Sequence, residues 1–435
     1  MLETSYIFVQ FLIFLFFSYF PFNSITSPKS ISSIIKSNYD YFFINLVILI
    51  FILLLFSFLK IKLTHIFILL VSIYLFIYLI FIKKITNEIL NKKNLILNYF
   101  FFIINLCLFI NVAYNFELGW DGLNLWIVKT NIFYNGFNYF ESFQQLDYAK
   151  NYPHLGSYLW AFFWKNSLGN YEYFGRLFYL YLYILSLFVL IGSIKNINIK
   201  TKIILILIIF LFSFDYSLGG YQEYLIFSLL VFAGKLLMIV RRNNKGGFFD
   251  FILFINTIVL CFIKNECTFY AIFLWLIYFL IKKNKFYSLL FLILILMTVF
   301  LQFYFVKIIY AANSFFQISI DPIVWFKNFS ILEVIKRSFY ITFYIMHSLL
   351  KYPICLINFL GILLSIYFYK KIPENKFLFI FLILNLLFIF SIYQVTPLPI
   401  IWHLQTSIKR LFLQTSGFYF FFTINLFNYR VIKIS

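Results

Sequence analysis

Long apolar blocks alternate with short, basic connections along most of this chain. A helix that crosses a bilayer needs about 20 mostly apolar residues. Blocks of that kind lie at roughly 4–23, 42–59, 65–82, 95–116, 171–193, 202–218, 221–240, 249–264, 267–281, 287–310, 353–370, 377–394 and 411–428. The pattern predicts an all-α, polytopic integral membrane bundle of about 13 transmembrane helices. Two further stretches, 152–164 and 338–350, are shorter and broken by Pro, His or Lys. They suit helices lying in the membrane interface.

The polar positions assign sides. The connections 24–41, 83–94, 194–202, 241–248, 282–286, 370–376 and 429–435 carry 20 of the 35 Lys and Arg. Short loops rich in Lys and Arg stay cytoplasmic. All seven fall on one side only if 152–164 and 338–350 do not cross, which puts the N-terminus outside and the C-terminus inside. The outer side then carries 117–170, 311–352 and 395–410. Glu117, Asp121, Glu141, Asp147, Glu172, Asp215, Glu223, Glu266, Asp321 and Glu333 fall at or near that outer face, whereas Asp40, Glu88, Asp250 and Glu374 fall inside. Carboxylates gathered at one membrane face point to function, or simply to longer solvated loops.

Composition narrows the class. The chain is 63% apolar and 11% charged, with 66 Phe and 34 Tyr. A cytosolic enzyme, a secreted disulfide domain and a disordered chain are excluded. The net charge of +20 would suggest nucleic acid for a soluble protein. In a polytopic one it reports the cytoplasmic loops, and no nucleic-acid partner is expected. Cys107, Cys261, Cys267 and Cys355 form no CxxC pair or Cys/His cluster and read as small buried hydrophobes. Met1-Leu2-Glu3-Thr4 lacks a basic leader, so the first block is expected to remain as a span. There is no fixed-period repeat, no inverted half and no nucleotide-binding GxxxxGK[ST].

Candidate chemistry concentrates in the first outer loop. It opens Glu117-Leu118-Gly119-Trp120-Asp121-Gly122-Leu123-Asn124-Leu125-Trp126 directly after a span. A carboxylate at that height can take a proton from an acceptor hydroxyl or hold a divalent metal. Trp120 and Trp126 suit the interfacial aromatic belt. The loop ends Asn151-Tyr152-Pro153-His154. Pro153 can start a helix whose free N–H groups suit a phosphate, with His154 in its first turn. Glu172 and Arg176 follow at i, i+4 spacing. Lys264 and Glu266 sit between two apolar blocks and read either as a structural pair or as a phosphate-binding Lys fixed by Glu. Lys409-Arg410 breaks the positive-inside trend and suits either phosphate recognition or lipid headgroups. His403 reads as a packing residue or a base, and Lys235 and Lys307 lie within spans.

Trp120-Asp121, Tyr152-Pro153-His154 and Arg176, in that order, resemble the GT-C superfamily of membrane glycosyltransferases. The branch in question includes dolichyl-phosphate-mannose–protein mannosyltransferases and lipid A aminoarabinose transferases. The resemblance continues through Gly220-Tyr221-Gln222-Glu223, Lys264-Asn265-Glu266 and Trp402-His403 to Lys409-Arg410. It covers about 95–281 and is patchy to 428. It implies a GT-C-like core at 95–310, N-terminal helices of unclear role at 1–94 and a C-terminal membrane region at 311–435. It further implies transfer of a sugar from a polyprenyl-phosphate donor to a glycan, lipid or protein acceptor. Asp121 is the implied general base, and Glu117, Tyr152, His154, Arg176, Tyr221, Glu223, Lys264, Glu266, His403 and Arg410 are the implied substrate-binding residues. The implied setting is a bacterial inner membrane with the site facing the periplasm. Many relatives carry Asp-Glu where this chain has Asp121-Gly122, so Glu117 or Glu141 would have to replace the second acid, and metal use stays open. A glycan polymerase or ligase, a flippase for lipid-linked oligosaccharide and a non-catalytic subunit are the rival readings. Asp121, His154 and Arg410 around one outward cavity would favour the enzyme over a non-catalytic subunit, and a separation of more than about two helix diameters, some 20 Å, would exclude it.

Overall fold

The computed structural model describes residues 2–19, 38–89, 95–115, 117–146, 152–192, 194, 197–214, 219–242, 247–282, 284–303, 330–368, 375–396 and 398–434. Asp147, Asp215, Asp321, Lys307 and Glu374 lie outside the described residues, as do the greater parts of the connections 24–41 and 370–376.

The described residues form helices and no strands. In chain order they are α1 (Leu2–Ser18), α2 (Asn38–Ser57), α3 (Leu63–Ile89) and α4 (Leu95–Tyr114). A wide π-type turn (Gly122–Trp126) then runs into α5 (Ile127–Tyr134), followed by α6 (Tyr139–Gln145), α7 (Leu155–Lys165) and α8 (Tyr173–Gly192). Next come α9 (Ile199–Ser213), α10 (Glu223–Arg242), α11 (Phe248–Cys261), α12 (Cys267–Ile281) and α13 (Lys285–Phe303). The chain ends with α14 (Ile331–Lys351), α15 (Pro353–Phe368), α16 (Asn375–Val395) and α17 (Ile400–Ile434).

Each of the expected apolar blocks overlaps a helix, but among the described residues six helices are long and apolar enough to cross a membrane, or seven if the bent pair α14–α15 counts as one span. Part of the shortfall is length, since four apolar stretches reach only 10–17 residues. At 1.5 Å per residue, α11 with its 14 residues reaches about 21 Å, against about 30 Å of hydrocarbon. This architecture is compatible with a multi-pass membrane protein.

α8 and α10 form the centre, since every residue in their apolar windows is buried. The remaining long helices surround them and show apolar faces outward. One core cluster runs from Ile7 in α1 to Ile424 in α17, without a break at the boundaries drawn at 94/95 and 310/311. Asp40 of α2 accepts an ion-pair hydrogen bond from Lys235 of α10, which ties the N-terminal helices to the centre. Lys235, a cation that the sequence places within a span, is therefore paired. Likewise Asp250 pairs with Lys282 at 2.9 Å. Asp250 and Lys282 are residues that the loop charges assign to one side.

The close approach of α17 to α10 depends on Gly417. A Cβ there would lie 2.4 Å from the Phe227 carbonyl oxygen. Phe227 is one turn past Glu223, and Gly417 is two turns past Arg410. The same contact that admits the glycine therefore brings Arg410 to Glu223.

Two local expectations change. The stretch 152–164 does not present one face to an interface. In α7 every residue from Leu155 to Phe163 is buried, because α2, α3, α5 and α8 surround it. Cys261, Cys267 and Cys355 are buried as expected, but Cys107 is exposed on α4.

Candidate functional site

Four side chains from distant parts of the sequence meet at one end of the bundle. Asp121 enters the π-type turn after α4, Glu223 is the first residue of α10, Lys264 lies in the turn between α11 and α12, and Arg410 lies in the third turn of α17. Arg410 Nη2 approaches Asp121 Oδ2 at 2.5 Å, and its Nε donates to Glu223 Oε1 at 2.8 Å. Lys264 Nζ donates to the same Oε1 at 2.7 Å. The order is acid, base, acid, base, so opposite charges alternate and the chain is neutral as a whole.

Burial divides this chain. The side chains of Glu223 and Lys264 are 0% and 4% exposed, whereas Asp121 and Arg410 are 23% and 16% exposed. The inner pair is sealed, and the outer pair is partly exposed. The second oxygen of Glu223, Oε2, is buried without a hydrogen-bond partner among the described residues.

Aromatic rings wall the cluster. Arg410 lies over Tyr221, 4.8 Å from its centroid, and Lys264 lies 5.7 Å from the Trp126 ring. The Asp121 backbone N–H donates to the Tyr221 phenol. Tyr152 meets Trp126 edge-on at 5.9 Å, and its phenol is held above its ordinary pKa by burial and by the charges of Glu266 and Asp121. Trp126 is 1% exposed, so it is a wall of the site and not a belt residue; Trp120, at 69%, does face outward.

The turn that carries Asp121 is fixed by backbone contact. The Gly119 N–H donates to the Gly219 carbonyl at 2.9 Å. A Cβ on Gly122 would meet that carbonyl oxygen at 2.2 Å. This accounts for the missing second acid, because no side chain fits at 122 without moving the 219–220 turn. Neither proposed substitute takes its place. Glu117 is exposed and meets Arg176 through its backbone carbonyl. Glu141 caps α6 and pairs with Lys60 at 2.6 Å. Among the described residues no three His, Cys, Asp or Glu side chains gather as metal ligands would.

Other expected residues stand elsewhere. His154 does not join Asp121 and Arg410. It precedes α7, is buried, and shares a 2.7 Å hydrogen bond with Ser57 Oγ among the rings of Phe58, Phe133, Tyr139 and Phe262. Burial, with Lys129 nearby, pushes its pKa well below the ordinary value. The helix N-terminus expected to hold phosphate is also occupied, since the Leu155 N–H donates to the Phe262 carbonyl at 3.0 Å. Arg176 is buried and donates to the Glu117 carbonyl at 3.0 Å, with Glu172 at 3.5 Å. It fixes the entry of the loop and does not point to the cluster.

Glu266 lies beside the cluster, with Oε2 buried and no hydrogen-bond partner among the described residues, and its charge reaches Tyr152 and Tyr393. His403 shares a 2.9 Å hydrogen bond with Thr396 Oγ1, and burial together with Arg410 lowers its pKa to about 4. Neutral at ordinary pH, it packs edge-on against Tyr393 at 5.0 Å.

Sequence reasoning did not single out Lys129 as a candidate. Its ammonium is buried, donates to the Tyr152 carbonyl at 2.5 Å, and is lowered to about 7 by desolvation. Its only sequence signal is a Lys three residues past Trp126 in an apolar context.

Compared with known protein families, curated proteins and solved structures, the chain matches none of them.

Proposed function

We propose that this chain is a membrane glycosyltransferase of GT-C type, with about 13 membrane-embedded helices, that moves a sugar from a polyprenyl-phosphate donor to an acceptor hydroxyl at the outer membrane face. The observation that carries this reading is the Asp121–Arg410–Glu223–Lys264 chain, open at Asp121 and Arg410 and sealed at Glu223 and Lys264.

In this reading the isoprenoid tail lies along the apolar helices, and the donor phosphate competes with Asp121 for Arg410. Arginine suits that exchange, because its planar fork matches carboxylate and phosphate alike. Lys264 adds positive potential from below, and Glu223 holds both cations in place. Asp121, released from Arg410, accepts the proton of the acceptor hydroxyl. The hydroxyl oxygen bonds to the anomeric carbon, the anomeric carbon–phosphate oxygen bond breaks, and the electron pair leaves on polyprenyl phosphate. Arg410 stabilises the charge that grows there. Trp126, Tyr152 and Tyr221 supply the apolar and hydroxyl-bearing walls suited to a sugar. The bacterial inner membrane, with this face toward the periplasm, is the proposed location.

The test is transfer in vesicles supplied with a polyprenyl-phosphate sugar and membrane extract as acceptor. Removing a general base typically lowers the rate about 10²–10⁴-fold. Asp121→Asn should do so while the protein stays inserted and abundant, and the supplied lipid-linked sugar should remain unconsumed. Full transfer by Asp121→Asn would sink the assignment.

A further inference from the structure

α14 has three sides. With 100° between successive residues, Ile331, Leu332, Ile335, Phe339, Phe343, Met346 and Leu350 fall within an arc of about 120°. All seven are 54–88% exposed. The opposite side is pinned to the protein. Arg337 Nη1 donates to the carbonyls of Gln394 and Thr396 at 2.9 and 3.0 Å, and Gln394 Nε2 donates to Ser338 Oγ at 2.7 Å. Farther along, Gln405 Nε2 of α17 donates to the Tyr344 phenol at 2.9 Å. Between these two sides runs a polar flank with Lys336, Tyr340, His347 and Lys351.

At Tyr352 the chain turns, and α14 stands at 105° to α15. If α15 runs along the bundle, α14 lies across it. Two cations meet at the elbow. Lys351 Nζ is 5.4 Å from the Tyr352 centroid, and Lys409 Nζ of α17 is 4.3 Å from the same ring. Lys336 lies on the same flank four turns earlier. Glu333 is drawn to Arg337 at 3.0 Å, so its charge is already matched on the helix.

We propose that α14 lies flat in the membrane interface, its apolar stripe among acyl chains, and that Lys336, Lys351 and Lys409 hold the headgroup phosphates of anionic bilayer phospholipids. The order of sides is what carries this. An apolar stripe bordered by cations, on a helix turned across the bundle, matches the depth profile of a lipid monolayer. A protein partner would need no such ordered border. The tyrosines suit headgroup depth as well. The outcome separates two neighbours in sequence: Arg410 belongs to the buried charge chain, whereas Lys409 faces the elbow. The proposal stands independently of sugar transfer.

The test uses the full chain, purified in mild detergent and offered equal amounts of phosphatidylglycerol and phosphatidylcholine with identical acyl chains. Native mass spectrometry reads the lipids retained. A lysine near an anionic surface contributes a preference of about five-fold. Wild type should therefore favour phosphatidylglycerol strongly, and Lys351→Gln with Lys409→Gln should cut that preference about 25-fold, to the roughly five-fold that Lys336 alone gives. Lys351→Arg with Lys409→Arg should keep the preference, which separates lost charge from lost fold. Equal retention of both lipids by wild type, or an unchanged preference in the double Gln variant, overturns the proposal. So does a dimeric mass that Phe339→Ser abolishes, since the stripe would then bind a second copy.

Discussion

Replacing Glu223 by Gln removes the negative charge between two cations while keeping the shape of the side chain. The amide oxygen can still accept one hydrogen bond, but Lys264, 4% exposed, loses its counter-ion. Breaking a buried ion pair by deleting one partner costs about 3–5 kcal/mol, because an uncompensated charge remains inside. Arg410 is less affected, since it keeps Asp121 at 2.5 Å. At about 1 °C per kcal/mol for a chain of this size, the midpoint should fall by roughly 3–5 °C. Thermal unfolding of the detergent-solubilised protein reads this directly. The companion variant, Glu223→Gln with Lys264→Met, removes the stranded charge and should recover most of the loss, as apolar replacement of a buried pair is close to neutral. The two sites are in contact, so a coupling of about 1–3 kcal/mol is expected between them. A Glu223→Gln midpoint within about 1 °C of wild type would refute the buried pairing. A double variant worse than the single one would do the same.

Gly417→Ala should push α17 away from α10, lower the midpoint by several degrees and reduce transfer, because its Cβ would sit 2.4 Å from the Phe227 carbonyl oxygen. Gly361→Ala, whose nearest neighbour would be Thr423 Oγ1 at 4.0 Å, should be neutral or slightly stabilising in the same melt, since Ala favours helix. Lys129 has a folded pKa of about 7, below its unfolded value of about 10.4. Between those values the unfolded state binds more protons, so stability should rise as pH climbs from about 7 to about 10. Lys129→Met should flatten that part of the midpoint-against-pH curve, and an unchanged slope would contradict it.

The apolar blocks were legible because a bilayer-length hydrophobic run needs no tertiary context. Asp250 and Lys282, which the loop charges put on one side, do meet in a buried pair, but Lys235, a cation within an apolar block, finds its partner Asp40 only through packing. His154 shows where local reading fails. A helix N-terminus looks free until the rest of the chain is counted, and here the Phe262 carbonyl fills it. Arg176 fails in the same way, because the Glu117 backbone carbonyl takes up its guanidinium. Trp126 reads as an interfacial anchor by type, yet the packing of α5 and α7 seals it inside.

Residue types and their spacing by themselves determined that this protein is helical, apolar and basic, and that Asp121, Glu223, Lys264 and Arg410 are chemically unusual for their positions. Only the tertiary structure decided that these four share one chain of ion pairs. Arg410 and Glu223 are 187 residues apart, and Lys264 and Glu223 are 41 apart. No local periodicity encodes such a meeting. It follows from how closely α17 can approach α10, which a glycine two turns away permits. Burial then divided the four into a sealed pair and an open pair, because burial depends on every neighbouring helix at once.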